Sequence, residues 1–462
     1  MKPPANDKSI SNHPVDPRAW ALSILNRQET THSYINILLD SEFQKIKSEP
    51  SVKAFATEMI YGIIRNKRYI DWIIDSLKKN PTASLPIPVL NLLRMGIYQI
   101  LMMNSVPDFA AVNETVTLAD KQGLQKHKGF INGMLRNVIR KRDSSDLTVR
   151  ITDPAKRFGI QYSHPDWIVK IYMSVLGVKN AEKLLIANNQ IPPTFIRVNT
   201  LKISTSAYME LLNKANILYA KSELISEAIE LKQGISPRNL PGYQEGFFHV
   251  QDVAAQLIAY CLQPKPGSVV YDLCAAPGGK TFVLTQLMKD KGKITAFDIH
   301  EGRLRMLSEQ SHKLGCSIIK TYPMDLSGKI PESLYETADY ILADVPCSGL
   351  GVLRRKLDAR WAKNPSQIKE LLKIQEYILN NASLCLKPGG ILVYSTCTYT
   401  IEENENQVKI FLSKHPEYQL ESLKIIFPEN IHHLVTESGY LKTLPFRDNI
   451  DGMFACRMKK GK

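Results

Sequence analysis

The first part of the chain has hydrophobic residues at helical spacing. Residues 19–25, 52–64 and 89–103 each place apolar side chains three to four positions apart, whereas the alternating pattern of strands is nearly absent. This spacing predicts an all-α domain over residues 16–142. The polar run Arg-Asp-Ser-Ser-Asp at 142–146 predicts a linker that ends the domain.

A mixed pattern follows this helical region. Residues 162–167 have the character of a helix start, with Pro165 in the first turn. Residues 194–199 form an apolar, β-prone run after two prolines, which predicts a strand. The two signals together predict a small α/β unit over residues 153–250.

In residues 251–462, short apolar runs alternate with segments of helical spacing. The runs that predict strands are residues 269–273, 293–297, 340–343 and 390–395. Regular alternation of strands and helices is typical of a doubly wound sheet with helices on both faces. We therefore expect an α/β domain here.

The turn after the first of these strands has the sequence DLCAAPGGKT, residues 272–281. Glycine at the carboxyl end of a strand lets the backbone approach a ligand, so the turn predicts a site for a nucleotide-like cofactor. A phosphate-binding P-loop would need glycine where Cys274 stands, and residues 276–279 do not form the dinucleotide fingerprint G-x-G-x-x-G. Both of these interpretations therefore fail.

Asp298 follows the next predicted strand, and its position has two interpretations. A carboxylate at this strand end is placed to accept hydrogen bonds from both hydroxyls of a ribose. It could equally cap a helix that starts near Glu301. The spacing favours neither interpretation over the other.

The charge of the chain favours a polyanionic partner. Among 462 residues, 59 Lys and Arg stand against 45 Asp and Glu, which gives a net charge of +14. Basic residues gather at 65–68, 121–128 and 136–142. Any one of these clusters is more often a solvated helix face than a binding site, but together they favour RNA or DNA.

The cysteines and the chain start point to an intracellular protein. Seven cysteines with no C-x-x-C pair indicate neither a disulfide framework nor a zinc knuckle, so we expect no metal site. No run approaches the ~18 apolar residues of a membrane helix, and residues 1–14 are polar. We expect a cytoplasmic protein that does not contact a membrane.

Four predicted strands end in side chains that can take part in chemistry. They are Asp272, Asp298, Asp344 and Cys397. Because the carboxyl ends of parallel strands share one edge of a sheet, we expect these side chains beside the turn Pro277-Gly278-Gly279. Asp325 should lie close by.

Methylation of a pyrimidine at carbon 5 would use such a set. Carbon 5 is a weak nucleophile until a thiolate adds to carbon 6, so the reaction needs a cysteine. Most cysteines are simply buried apolar side chains, but Cys347 and Cys397 both follow strand ends. Position alone does not decide which of the two attacks. A carboxyl group near the base's N3 would stabilise developing charge, and Asp344 is placed for this.

Three motifs resemble those of the Nop/Sun family of RNA 5-methylcytosine methyltransferases. They are DLCAAPGGKT at 272–281, DVPCSG at 344–349 and STCT at 395–398. The helical region, with GFINGMLRN at 129–137, is similar to the NusB-like RNA-binding domain. The resemblance runs over nearly the whole chain. It implies a NusB-like all-α domain, a small α/β extension that grips RNA and a Rossmann-like class I methyltransferase domain over residues 251–462.

The same resemblance implies the cofactor, the substrate and the site. The cofactor would be S-adenosyl-L-methionine and the substrate a cytosine of small-subunit ribosomal RNA. Cys397 would be the nucleophile, Cys347 would assist release of the product, and Asp344 would act beside them. The cofactor would contact Cys274, Ala275, Ala276, Pro277, Gly278, Gly279, Lys280, Asp298, Asp325 and Asp344.

Two other functions remain as alternatives. A non-catalytic RNA-binding factor would need neither cysteine nor a complete glycine turn, so the presence of all three favours an enzyme. A DNA methyltransferase is the weaker possibility, because the helical domain favours RNA, although it does so only by its resemblance. In either nucleic acid the target base must leave its stack to reach a thiol, which predicts a single-stranded or loop substrate.

Overall fold

The computed structural model describes residues 16–31, 33–45, 49–78, 80, 84–142 and 150–462. These residues form two compact units. The first unit runs to Val169 and also includes Leu357–Ala362, and the second contains Lys170–Lys356 and Lys363–Lys462. The polar chain start at 1–14 and the linker predicted at 142–146, from residue 143 on, lie outside the described residues.

Helices whose apolar sides meet in one core build the first unit, which we call the helical unit. They are α1 (Pro17–Thr31), α2 (Ile35–Lys45), α3 (Pro50–Leu77), α4 (Ile87–Met102), α5 (Asp108–Lys121), α6 (Lys128–Lys141), α7 (Pro154–Gln161) and the start of α8 (Asp166–Asn188). Pro17 and Pro50 open their helices, where the missing N–H of proline removes no helical hydrogen bond. None of the unit's described residues forms a strand, so the all-α prediction is confirmed.

A four-stranded antiparallel sheet opens the second unit. Its elements are β1 (Thr194–Val198), α9 (Thr205–Lys214), β2 (Tyr219–Lys221), β3 (Ala228–Leu231) and β4 (Phe248–Val250). The strand order is β2-β3-β1-β4. The strand predicted at 194–199 is confirmed, and so is the mixed α/β character of this region. Pro165 directly precedes α8, as the helix-start pattern indicates.

The large sheet of the second unit has eight strands. Its elements are α10 (Val253–Tyr260), β5 (Val269–Asp272), α11 (Gly279–Leu287), β6 (Lys293–Asp298), α12 (Glu301–Leu314), β7 (Ile319–Pro323), β8 (Ala338–Asp344), α14 (Pro365–Cys385), β9 (Leu386–Thr396), α15 (Glu405–Lys414), β10 (Tyr418–Glu421), β11 (Leu441–Lys442), α16 (Pro445–Asp448) and β12 (Phe454–Lys460). The short helix α13 (Ala359–Ala362) belongs to the helical unit instead.

The order of this sheet determines where a ligand can bind. Strands run β10-β12-β9-β8-β5-β6-β7, with β11 paired to β12, and the five strands from β9 to β7 are parallel. From β5 the chain first continues on one side through β6 and β7, and then on the other side through β8 and β9. Crevices at such a switch point, outside the carboxyl ends of the strands, hold ligands in doubly wound folds. The Rossmann-like prediction is confirmed, and the crevice lies between the ends of β5 and β8.

None of the helices among the described residues has the length and apolar character that crossing a membrane requires.

Candidate active site

The glycine turn joins the end of β5 to the start of α11. Gly278 has a φ of 107°, in the left-handed region that favours glycine. A Cβ atom at this position would stand 2.6 Å from the Phe282 ring and 2.7 Å from Leu307 Cγ. The turn therefore requires glycine for its backbone angle and for its close packing.

Asp272 ends β5 and is fully buried beneath the turn. Its Oδ2 accepts a hydrogen bond of 2.8 Å from the Thr281 hydroxyl. Its Oδ1 has no hydrogen-bond partner of good geometry among the described residues. Burial raises the pKa of Asp272 to about 7, and the nearby charge of Asp344 adds to the rise. The Cys274 backbone N–H lowers this pKa, but it does not reach Oδ1 with good geometry. A buried acceptor in this position fits a site for a cofactor that carries hydrogen-bond donors.

Asp298 ends β6, and both of its carboxylate oxygens accept hydrogen bonds from backbone N–H groups. Oδ2 accepts from Ala276 N at 3.2 Å and Oδ1 from His300 N at 2.9 Å. The residue that caps α12 is His300, so Asp298 is not its N-cap. Each carboxylate oxygen retains a second lone pair, and the ribose interpretation stays a prediction.

Asp325 lies two residues beyond β7, whose last residue Pro323 pairs with Asp298. Its Oδ1 accepts from the backbone N–H and the hydroxyl of Ser327, at 2.9 and 2.6 Å. These two hydrogen bonds hold the pKa of Asp325 below its ordinary value. The side chain is exposed at the same edge of the sheet as the glycine turn. Its contact with the cofactor stays a prediction.

Asp344 ends β8 and is held on both oxygens. Lys280 Nζ lies 2.7 Å from Oδ2, and the Ser395 hydroxyl donates to Oδ1 at 2.7 Å. Burial lowers the pKa of Lys280, but the charge of Asp344 outweighs this effect and raises it above its ordinary value. The carboxylate therefore has a fixed orientation beside the turn.

The two predicted cysteines, 50 positions apart, are in contact. Cys347 Sγ lies 3.3 Å from Cys397 Sγ, and both cysteines are partly accessible. The hydrogen bond from Cys347 lowers the pKa of Cys397. Burial and Asp344 oppose this effect, whereas the charges of Lys356 and Lys280 add to it.

The opposite effects act on Cys347. Its hydrogen bond to Cys397, burial and the charges of Cys397 and Glu403 raise its pKa well above the ordinary value. The Cys397 N–H, which donates to Cys347 Sγ at 3.3 Å, opposes the rise. The pKa of Cys397 is thus lowered while that of Cys347 is raised, although a carboxylate acts against ionisation of each sulfur. Which of the two cysteines attacks stays a prediction.

Glu403 orients the loop that carries Cys347. It is fully buried and accepts hydrogen bonds from Ser348 N at 2.8 Å, the Ser348 hydroxyl at 2.5 Å, Gln375 Nε2 at 3.0 Å and the Thr400 hydroxyl at 2.7 Å. Sequence reasoning missed this residue. It stands among three glutamates, at positions 402, 403 and 405, and no local pattern separates the buried one from the others.

Lys356 and Lys363 are further charged groups at the cysteine pair that the sequence analysis missed. Lys363 Nζ donates to the backbone oxygen of Cys347 at 3.0 Å, and the charge of Lys356 acts on Cys397. Within the described ranges, no three His, Cys, Asp or Glu side chains are grouped so that they could hold a metal ion. The arrangement is suited to nucleophilic catalysis by a cysteine, with a carboxylate and cations around it.

Comparisons with known families match three parts of the chain. Residues 259–459 match the family described as 16S rRNA methyltransferase RsmB/F. Residues 15–140 match the NusB family, and residues 164–237 match the ferredoxin-like domain of RsmF/B-like methyltransferases. These matches agree with the α, α/β and Rossmann-like parts of the fold.

Similar proteins cover nearly the whole chain. The "Probable ribosomal RNA small subunit methyltransferase B" of Synechocystis sp. is 36% identical over 96% of this chain and 100% of its own length. The Bacillus subtilis protein of the same name is 34% identical over 96% of this chain and 98% of its own. Among solved structures, PH0851 has a TM-score of 0.79 at 25% identity, over 97% of this chain and 100% of its own. A methyltransferase homologue from Pyrococcus horikoshii has a TM-score of 0.58 at 29% identity, over 67% and 100%.

Proposed function

The chain belongs to the 16S rRNA methyltransferase RsmB/F family, and we propose that it methylates a specific cytosine of small-subunit ribosomal RNA at carbon 5. Its cofactor is S-adenosyl-L-methionine. We infer carbon 5 as the position of methylation from the contact between the two cysteines, in which Cys397 is favoured as the thiolate. Methyl transfer to a nitrogen or oxygen of RNA would need no cysteine, because those atoms have lone pairs of their own.

The cofactor supplies an electrophilic methyl group. In the proposed reaction the Cys397 thiolate forms a bond to carbon 6, and the electron pair of the 5,6 double bond moves to carbon 5. That pair would then form the bond to the methyl group, while the bond between the methyl group and the cofactor's sulfur breaks and its electron pair stays on that sulfur. The proton on carbon 5 leaves to a base, the Cys397–carbon 6 bond breaks, and its electron pair returns to sulfur as the double bond forms again.

Cys347 is the proposed base at carbon 5. Its thiol is neutral while Cys397 carries a charge, because like charges in contact disfavour each other. Bonding of Cys397 to carbon 6 removes that charge, so the pKa of Cys347 should fall in the intermediate. The thiol can then lose its proton to solvent and accept the proton of carbon 5 in its place.

The residues around the cysteines have separate proposed roles. Asp344, fixed by Lys280 and Ser395, would interact with the pyrimidine ring at N3. The cofactor would lie against residues 274–280, with Asp298 and Asp325 at its outer part. Asp272 Oδ1 fits this cofactor, because S-adenosyl-L-methionine has an amino group and ribose hydroxyls that can donate to a buried acceptor.

Ribosomal RNA as the substrate rests on the relatives and on the helical unit. The two relatives are named as ribosomal RNA small subunit methyltransferases, and residues 15–140 match the NusB family. Helix α6 carries Arg136, Arg140 and Lys141 close together, where cations can contact phosphates. The target cytosine should lie in a single strand or loop, because it must leave its stack to reach Cys397.

Release of tritium from carbon 5 tests the proposal. Unmodified small-subunit RNA that carries tritium at carbon 5 of its cytosines should lose one tritium to water for each labelled methyl group it gains. Methyl transfer without tritium release would place the methyl group on another atom. No transfer to any RNA would favour the RNA-binding factor, and equal transfer to single-stranded DNA would favour the DNA methyltransferase.

The pH dependence of Cys397 alkylation should show its lowered pKa. Thiolate is present above the pKa, so the alkylation rate should rise and level off at a lower pH than for an ordinary cysteine. In Cys347→Ala the loss of the donated hydrogen bond should move the curve to higher pH. Iodoacetamide labelling followed by peptide mass spectrometry would measure this, with Cys385→Ala as the control that leaves the curve in place. A curve that stays unchanged in Cys347→Ala would contradict the assigned thiolate.

A further inference from the structure

The chain segments that follow β8 and β9 continue side by side beyond the ends of these parallel strands. The Val345 N–H donates to the backbone oxygen of Ser395 at 3.1 Å. Three residues further along, the hydroxyl oxygens of Ser348 and Thr398 lie 2.6 Å apart. The two segments therefore run in the same direction and stay in contact, and the two cysteines of the candidate site face each other between these contacts.

The spacing of the two cysteines is suited to a disulfide. Cys347 Sγ lies 3.3 Å from Cys397 Sγ and also 3.3 Å from Cys397 N. Neighbouring strands run about 4.8 Å apart, and a disulfide joins residues whose Cα atoms are about 4.4–6.8 Å apart. The sulfurs would have to approach each other by about 1.3 Å to reach the bond length of about 2.05 Å. Rotation of the side chains can supply this approach without movement of the backbone.

Hydrogen bonds hold both segments in place around the sulfurs. Gln375 Nε2 donates to the backbone oxygen of Pro346 at 3.0 Å, just before Cys347. The Gly351 N–H donates to the backbone oxygen of Cys397 at 2.8 Å. These contacts add to the hydrogen bonds that Glu403 accepts from the same loop. Two groups that are held in contact react as if each were present at a very high concentration, so the pair is preorganised for a bond between its sulfurs.

The other cysteines are less suited to oxidation than this pair. A peroxide oxidises the thiolate, and it does so at accessible sulfurs. The hydrogen bond from Cys347 lowers the pKa of Cys397, and both side chains are partly accessible. Cys274 is also partly accessible, but burial and three neighbouring carboxylates raise its pKa well above the ordinary value. The four remaining cysteines are buried: Cys261, Cys316, Cys385 and Cys456.

We propose that Cys347 and Cys397 are a site of reversible oxidation, at which a peroxide joins the two sulfurs in a disulfide and thereby stops methyl transfer. The Cys397 sulfur attacks one oxygen of the peroxide, the O–O bond breaks, and the other oxygen leaves with the electron pair as hydroxide. Cys397 is then a sulfenic acid. The Cys347 sulfur attacks the Cys397 sulfur, the S–O bond breaks, and the departing hydroxide takes the Cys347 proton and leaves as water. The sulfurs lose two electrons, which the peroxide gains.

The effect on activity rests on the proposed function, whereas formation of the disulfide does not. A disulfide would leave neither a nucleophile for carbon 6 nor a base at carbon 5, so the oxidised protein should transfer no methyl group. A dithiol should restore the activity by thiol–disulfide exchange, because the sulfurs are partly accessible.

Treatment of the reduced full-length protein with hydrogen peroxide tests the proposal. Remaining thiols are blocked with iodoacetamide, and peptides are analysed by mass spectrometry without reduction. We expect one disulfide, between Cys347 and Cys397. Methyl transfer should fall in proportion to the fraction of molecules that carry it and should return with dithiothreitol. In Cys347→Ala no such disulfide can form, so Cys397 should oxidise further to the sulfinic acid, which dithiothreitol does not reduce. Cys385→Ala is the matched control and should form the disulfide as the parent does.

The two measurements separate failure of this proposal from failure of the proposed function. A disulfide that involves Cys274 instead, or a parent protein in which Cys397 passes directly to the sulfinic acid, would overturn the proposed oxidation site. Full methyl transfer by molecules that carry the disulfide would overturn the inhibition and the proposed roles of both cysteines. If the reduced protein transfers no methyl group to any RNA, the proposed function fails, and the mass spectra still decide whether the disulfide forms.

Discussion

Cys397→Ala is expected to abolish methyl transfer, with a loss on the order of 10⁴- to 10⁶-fold, as for removal of other catalytic nucleophiles. Without the thiolate, carbon 5 of the cytosine remains too weak a nucleophile to take the methyl group. The loss should appear in both tritium release and methyl incorporation, and no covalent RNA adduct should survive denaturing electrophoresis. RNA binding should stay within about twofold of the parent, since the substitution removes one sulfur atom and no charge contact with phosphate.

Cys347→Ala should behave differently, because Cys347 acts after the covalent bond has formed. The adduct should accumulate, since no base remains to take the proton from carbon 5. Cys385→Ala is the matched control, because Cys385 ends α14 as a buried side chain away from the cysteine pair. It should keep transfer and show no adduct. If Cys347→Ala loses the adduct and Cys397→Ala accumulates it, the two cysteines exchange roles.

Parallel-sheet geometry explains why much of the arrangement of the candidate site could be predicted. Short apolar runs between segments of helical spacing predicted the strands β5, β6, β8 and β9. Once a strand is located, the residue at its carboxyl end is known. Asp272, Asp344 and the turn at 274–280 therefore follow from local pattern and from the rule that parallel strands share a carboxyl edge. The rule depends only on strand direction, so it did not require knowledge of the packing.

Contacts between distant loops could not be predicted in this way. The approach of Cys347 to Cys397 depends on how the loop after β8 bends, and that bend is set by Glu403, 56 positions after Cys347. Strand β12 is similar: it inserts antiparallel between β9 and β10, and no local signal fixes which neighbours it will pair with. Residues 357–362 are the clearest case, because they lie between parts of the second unit in the sequence but belong to the helical unit, and no local pattern indicates this.

Helix boundaries were predictable where a local side chain determines them. Pro165 marks the start of α8 as the pattern indicates. Asp298 shows the limit of such reasoning, because a carboxylate two residues before His300 looks like a cap in sequence. In the structure it bridges two backbone N–H groups on different loops, one of them in the glycine turn. One of its two donors thus comes from a residue 22 positions away, which no local pattern could indicate.

Glu403 is a carboxylate whose whole hydrogen-bonding capacity is used within the protein. Two of its four donors come from Ser348, next to Cys347, and the others come from Gln375 and Thr400. Removal of the carboxylate would leave these donors buried and without an acceptor. Each buried donor left without an acceptor lowers the free energy of unfolding by about 1–3 kcal/mol, and partial rearrangement of the site makes the total smaller than the sum of the four. The loop of Cys347 would lose the contact that fixes its orientation.

Glu403→Ala should therefore lower the free energy of unfolding by about 3–5 kcal/mol, as for loss of one partner from a buried charged network. Glu403→Gln should cost about 2 kcal/mol, because the amide turns a donor toward a hydroxyl but keeps one acceptor. Urea unfolding would measure both changes. The exposed neighbour supplies the control: Glu402→Gln should stay within about 0.5 kcal/mol of the parent.

Folded Glu403→Gln should also accumulate the RNA adduct, because a displaced Cys347 cannot take the proton from carbon 5. Parent stability and normal product release in Glu403→Gln would show that this carboxylate does not orient the loop.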